Sequence, residues 1–186
     1  MAHRSNSRNL PLLGELSANA LVDQVIRVDH AGEYGAQRIY EGQLAILKRH
    51  ACAPVIRHMA DQEQAHLKAF ETYMKERQAR PTVLIPLWHV LGFAMGAGTA
   101  LLGEKAAMAC TVAVERVIAD HYAEQETSLP PEEETLKAAI RRFRAEELEH
   151  HNTGIEYGAE RAPLYHALAH AVSGATRVAI WLSKRI

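Results

Sequence analysis

Cysteine is scarce in this chain. Its 186 residues hold two, Cys52 and Cys110, too few for a disulfide framework or a cysteine-based zinc cluster. The pair fits a reducing compartment or two small buried side chains, and no disulfide is expected. Charge of one sign is also lacking. With histidine neutral the net charge is −1, which removes the electrostatic reason to propose a nucleic-acid partner. There is no Ser-His-Asp arrangement, no phosphate loop and no Gly-rich dinucleotide fingerprint, and no secretory signal is visible. The seven prolines cluster at the start and between candidate helices, which leaves long helices possible. Aromatics make up 6% of the chain and hydrophobic residues 48%, enough for one core in one domain.

What the chain does have is histidine and glutamate. Surface positions account for most of the 11 histidines. The informative ones lie in Glu63-Gln64-Ala65-His66 and Glu147-Leu148-Glu149-His150. Glutamate and histidine three residues apart project from one helix face, one turn apart, and offer a metal an oxygen and a nitrogen. The motif alone decides little: 18 glutamates and 11 histidines give about one Glu-x-x-His by chance, and the chain has two. The flanking acids carry more weight. Glu33 lies 30 residues before Glu63, and Glu115 lies 32 before Glu147. Two bare glutamates plus two Glu-x-x-His helices form the ligand set of a four-helix carboxylate-bridged dinuclear centre.

The periodicity predicts four helices that turn these residues inward. A first helix, starting near Ser17 or Asn19 as N-cap, has the seam Val22, Ile26, Asp29, Glu33, Ala36, Tyr40, Leu44, Leu47. Gly32 and Gly35 flank Glu33, each at a cost of about 1 kcal/mol relative to alanine. Close helix approach or a π-type distortion would account for them. Pro54 suits the first turn of a second helix, with the seam Ile56, Met59, Glu63, His66, Phe70, Tyr73. A third reads Met108, Thr111, Glu115, Ile118, Tyr122 and ends at Pro130-Pro131; a fourth reads Leu136, Ile140, Phe143, Glu147, His150, Gly154, Tyr157. Four carboxylates at one level of a core repel, and burying them unpaired is expensive. Two divalent cations would balance them with two neutral imidazoles as further ligands. Geometry alone does not separate iron from manganese.

Between the halves runs VLIPLWHVLGFAMGAGTALLG, residues 83–103, without a formal charge. Its length makes it a transmembrane candidate. Both flanking helices must reach one metal site, so its two ends are expected at the same end of the bundle, which disfavours a span. The expected role is to dip into one leaflet or cover a lipophilic pocket, with a buried core helix as the alternative. After Pro163 a C-terminal amphipathic helix is expected, with Leu164, Leu168, Val172, Ala175, Val178 and Leu182 on one face. Tyr165 and Trp181 suit a headgroup boundary, and packing on the bundle fits the pattern equally well.

The segments IRVDHAGEYGA (26–36), DQE-x-x-HL (61–67), PLWHVLGFAMGAGTALLGEKAAMACTVAVE (86–115) and EELEHH (146–151) closely resemble those of the demethoxyubiquinone hydroxylases, the carboxylate di-iron monooxygenases of ubiquinone biosynthesis. The resemblance covers most of residues 20–185. It implies an all-α, ferritin-like four-helix bundle with an additional hydrophobic segment and a C-terminal amphipathic helix. By this reading residues 1–18 are poorly ordered, and 19–186 form one domain whose segments 83–103 and 163–186 associate with membrane. It also implies O₂-dependent hydroxylation of a polyprenylated methoxy-benzoquinol ring at two iron ions, with NADH as electron source. By position the metal ligands are Glu33, Glu63, His66, Glu115, Glu147 and His150. Implied partners are the quinol, O₂, membrane lipid, further copies of the chain and other ubiquinone-biosynthesis proteins. Attachment is expected at the cytoplasmic face of a bacterial inner membrane or the matrix face of the mitochondrial one. Two further roles are expected on the seams: Asp29 as a hydrogen-bond partner orienting a ligating imidazole, and Tyr122 as a pocket wall or an aid to electron delivery. A ferritin-type iron store and a non-enzymatic membrane adaptor are the competing classes.

Overall fold

Ser17 ends the chain's approach to the first helix: its Oγ accepts the Ala20 amide at 3.2 Å, an N-cap of the expected kind. The computed structural model describes residues 17–186, so nearly all of the segment expected to be poorly ordered lies outside the described residues. Six α-helices follow: α1 Ala18–Leu47, α2 Ala53–Arg77, α3 Ile85–Leu101, α4 Glu104–Ser128, α5 Glu134–Glu156 and α6 Tyr165–Ser183. A 3-10 turn, Ala159–Arg161, leads into α6, and no strand occurs among the described residues. The fold is all-α, as expected. The third and fourth ligand-bearing helices are α4 and α5, because the uncharged stretch forms a helix of its own.

The four seams are buried nearly as drawn. Along α1 only Leu44 is not fully buried, in α2 Met74 takes the place of half-buried Tyr73, and Tyr157, just past the end of α5, is exposed. The apolar cores pack α1 on α2 and α3, and α4 on α5 and α6.

The path of α3 corrects the expected topology. Arg27 of α1 donates to the Arg80 carbonyl at 3.0 Å, while His50, past the end of α1, pairs with Glu104 at 2.8 Å. The 20 residues from Arg27 to Leu47 rise about 30 Å. Thus α3 begins at one end of the bundle and finishes at the other, running beside α1, and α2 and α4 point the same way. The expectation that both its ends lie together assumed a plain up-down order; a helical crossover replaces it. No described helix is long and apolar enough to cross a membrane. One side of α3 is buried through Trp88, Gly92, Gly96, Thr99 and Ala100, whereas Val83, Leu87, Val90 and Leu91 are exposed.

Glycine permits this contact. A Cβ at Gly96 would collide with the Ile39 carbonyl and one at Gly42 with the Phe93 carbonyl. The expected close helix approach is found at Gly35, whose carbonyl would lie 2.9 Å from a Cβ on Gly92, and not at Gly32. α1 is α-helical throughout, with no π turn, and a Cβ on Gly32 or Gly35 would meet no atom within 4 Å. The seam of α6 is rotated from the expected face: Leu168, Val172, Thr176, Ile180 and Ser183 turn inward, and Leu164, Ala175, Val178 and Trp181 are exposed.

Candidate metal centre

Four helices deliver the six expected residues to one level of the bundle: Glu33 from α1, Glu63 and His66 from α2, Glu115 from α4, Glu147 and His150 from α5. None is more than 1% exposed. The ligand atoms of Glu33, Glu63, His66 and Glu147 lie within 4.8 Å of one another, and so do those of Glu63, Glu115, Glu147 and His150. Glu63 and Glu147 belong to both groups, each with one oxygen toward each histidine. Glu63 Oε1 is 3.1 Å from His150 Nδ1 and its Oε2 3.7 Å from His66 Nδ1. Glu147 Oε1 is 3.1 Å from His66 Nδ1 and its Oε2 3.3 Å from His150 Nδ1.

These inward atoms make no hydrogen bonds. Both oxygens of Glu63 and Glu147, Oε2 of Glu33 and of Glu115, and Nδ1 of both histidines are buried and unpartnered. A buried polar atom without a partner costs about 1–3 kcal/mol, so the cluster is unfavourable unless protons or cations fill the space between these groups. Four carboxylates and two imidazole nitrogens around one space fit a pair of divalent cations.

The outward atoms, by contrast, are all held. His66 Nε2 lies 2.5 Å from Glu146 Oε2, and His150 Nε2 lies 3.0 Å from Gln62 Oε1. A proton kept on Nε2 by these acceptors leaves Nδ1 as the lone-pair atom facing the centre. The arrangement is reciprocal: α5 supports the histidine of α2, and α2 that of α5. Tyr40 donates to Glu115 Oε1 at 2.6 Å, and the Tyr122 hydroxyl donates to Glu33 Oε1.

Asp29 does not take the expected role. Its Oδ1 accepts from Gln125 Nε2 at 2.6 Å, and Gln125 also reaches His121 Nε2 at 3.0 Å, so neither His66 nor His150 rests on it. Glu146 and Gln62 do that work, and sequence reasoning missed both. Each directly precedes one of the clustered glutamates and so points about 100° away from it on its own helix; only the cross-helix packing sets it behind an imidazole. Tyr40 lay on the seam, but nothing marked it as a carboxylate partner.

Burial and crowding shape the protonation of the metal-free cluster. Burial, then the charge of Glu63, pushes Glu33 up to about 7. Burial and the nearby charges of Glu147 and Glu63 push Glu115 well above the carboxylate range. Glu147 is held below it, because the two imidazoles outweigh burial. Burial would lower His150, but Glu147 and Glu63 raise it to about 11, and His66 is raised in the same manner. Cations must displace these protons to bind.

Beside the cluster lies a cavity of about 130 Å³ between α1, α3, α4 and α6. Glu33 and Tyr122 line it, as do Gly32, Gly35, Ile39, Trp88, Met95, Val114 and Ile118, with Leu91 and Ala175 among the exposed lining residues. A cavity of about 150 Å³ holds benzene, so this one suits a single six-membered ring. Tyr122 thus forms part of a pocket wall.

Comparison with known proteins agrees with this geometry. Residues 20–183 match the family described as ubiquinone biosynthesis protein COQ7. The human NADPH-dependent 3-demethoxyubiquinone 3-hydroxylase, mitochondrial, is 56% identical over 173 residues, 91% of this chain and 80% of the relative. The 3-demethoxyubiquinol 3-hydroxylase of Rhodospirillum rubrum is 53% identical over 176 residues, 94% of this chain and 83% of the relative. The 5-demethoxyubiquinone hydroxylase, mitochondrial, of Saccharomyces cerevisiae is 42% identical over 184 residues, 90% and 79% of the two chains. The chain belongs to the ubiquinone biosynthesis protein COQ7 family.

Proposed function

We propose that this protein hydroxylates the ring of a polyprenylated methoxy-benzoquinol, demethoxyubiquinol, with O₂, using two iron ions held by Glu33, Glu63, His66, Glu115, Glu147 and His150. The observation that carries the reading is the pairing of eight unpartnered inward atoms with an apolar, ring-sized cavity sharing Glu33 as its wall. Bound iron would supply the activation of O₂, which no side chain here can perform. The chain's own residues do the rest. Glu63 and Glu147 each turn one oxygen toward His66 and one toward His150 and would hold the metals from the middle of the cluster, Glu146 and Gln62 orient the imidazoles, and Tyr40 and Tyr122 fix the Glu115 and Glu33 carboxylates. The aliphatic wall excludes water from the reacting ring. The electrons come from a reduced nicotinamide nucleotide. NADPH, named for the human relative, takes precedence over the NADH implied by the sequence resemblance.

The substrate's tail sets the location. Each CH₂ exposed to water costs about 0.8 kcal/mol, so a polyprenyl quinol stays in lipid. The cavity lies between α3 and α6, and the exposed apolar residues Leu87 and Val90 of α3 and Val178 and Trp181 of α6, with Val83 and Leu164 just before the two helices, would rest in one leaflet. This puts the enzyme on the matrix face of the mitochondrial inner membrane or the cytoplasmic face of a bacterial one. The test is turnover of a short-tailed demethoxyquinol by iron-loaded protein under ¹⁸O₂ with NADPH or NADH. One labelled oxygen on the ring is expected. Iron uptake without ring oxygenation would overturn the reading in favour of iron storage.

A further inference from the structure

We propose that Asp29 positions the ring through a hydrogen bond between its Oδ2 and a ring hydroxyl. The inference rests on the substrate reading above and assigns the group that recognises it. Asp29 is 3% exposed and lines the cavity, yet its Oδ2 has no partner. Of the other polar groups of the wall, Glu33 turns its free Oε2 toward His66 in the metal cluster, 3.3 Å from Nδ1, and the rest are engaged. Ser183 Oγ accepts from Trp88 Nε1 at 3.1 Å, Thr176 Oγ1 donates to the Val172 carbonyl at 3.0 Å, and His121 Nε2 is 3.0 Å from Gln125. Gln125 also fixes Asp29 through Oδ1 at 2.6 Å, which sets the direction of the free oxygen. A carboxyl oxygen buried without a partner is costly until a ligand fills the place.

The spacing suits this role. Asp29 precedes Glu33 by four residues on α1, about 6 Å of rise. A six-membered ring held at Asp29 by one hydroxyl therefore reaches toward Glu33 and Tyr122 with its opposite edge. The selectivity is chemical. Oδ2 pairs with a quinol hydroxyl in either protonation state of Asp29, accepting as a carboxylate or donating as an acid, whereas a ring carrying hydrogen in its place leaves Oδ2 unpaired, and a site built around a buried polar group rejects such an analogue. Asp29 is a positioning residue for substrate and not a metal ligand.

The test compares two short-tailed ligands without oxygen present: the demethoxyquinol, and the same ring with its hydroxyls replaced by hydrogen. Binding is read from Trp88 fluorescence in a Trp181→Phe background, since Trp88 lines the cavity and Trp181 is exposed. The parent protein should favour the hydroxylated ring by roughly ten- to a hundredfold. Asp29→Leu should abolish that preference and leave the affinity for the hydroxyl-free ring within about twofold. Asp29→Asn, of equal volume, keeps its oxygen on Gln125 and presents Nδ2 as a donor to the ring hydroxyl, and should retain part of the preference. If both variants keep the full preference, the assignment of Asp29 is wrong while the substrate reading stands. If the parent protein binds neither ligand, both fall together.

Discussion

Gly32 and Gly35 place two backbone positions of a 30-residue helix against the cavity without side chains. Glycine inside a helix is about 1 kcal/mol worse than alanine, through the conformational entropy it loses. Nothing lies within 4 Å of a Cβ added at either site, so Gly32→Ala and Gly35→Ala meet no packing penalty. Each should therefore stabilise the fold by about 1 kcal/mol, a rise in Tm of about 2–4 °C for a chain of this size. The new methyls would border a space of about 130 Å³ that just accommodates one ring. A displacement near 1 Å at a reacting centre costs about a hundredfold in rate, so the double variant should lose turnover of demethoxyquinol by that order while gaining stability. Differential scanning calorimetry and steady-state kinetics on iron-loaded protein, with iron content measured in parallel, separate the two effects. Variants that are stabilised and turn over at the parent rate would show that this cavity does not hold the ring. Variants that lose stability would refute the reading of the glycines as open-space residues.

Other expectations address the support of the metals, the protons and the membrane face. Glu146→Ala, which removes the partner of His66 Nε2, should weaken metal binding by about 10–100-fold with helix content unchanged; a competition titration against a chelator measures it. Metal-free protein should lose stability as pH rises from about 5 to 8. Glu33, raised to about 7, and Glu115 and Asp29, raised by burial, hold protons in the folded state that the unfolded chain releases earlier, so their stabilisation is complete in acid and fades as pH climbs. The low position of Glu147 is already fully felt above about pH 5 and does not change the slope. Metal-loaded protein should show the opposite slope, because binding expels protons; melting curves across pH with and without iron compare them. Val90→Asp, on the exposed side of α3 and outside the cavity lining, should reduce sedimentation with anionic lipid vesicles and turnover of long-tailed quinol, while a short-tailed quinol is still hydroxylated. Equal loss with both substrates would move the lipid entrance elsewhere.

Residues whose environment is set by their own helix were the ones legible in the sequence. Glu33, Glu63, Glu115 and Glu147 each interrupt an apolar seam, and a 3.6-residue period is enough to turn them inward together. Contacts made across helices were not legible. Glu146 and Gln62 lie off the seams of their own helices, and Asp29, which lies on one, finds Gln125 of α4 because antiparallel packing sets them side by side. The crossover through α3 escaped notice for a related reason: an uncharged run looks the same whether it spans lipid, dips into it or lies along a bundle. Only its ties to both ends of α1, Arg27 with Arg80 and His50 with Glu104, decide. On α6 several apolar residues fall on both sides of the helix, so the inward face was not determined by pattern.

The central claim is that six buried side chains hold two metal ions; Glu63 and Glu147 belong to both groups of clustered ligand atoms. Elemental analysis of protein purified from iron-replete cells, before and after single substitution, tests it most directly. About two irons per chain are expected in the parent protein, with Glu147→Ala emptying both positions and Glu33→Ala, Glu115→Ala and His150→Ala each losing metal and turnover. Full metal occupancy in these variants, or a parent protein that binds no metal at all, would contradict the account.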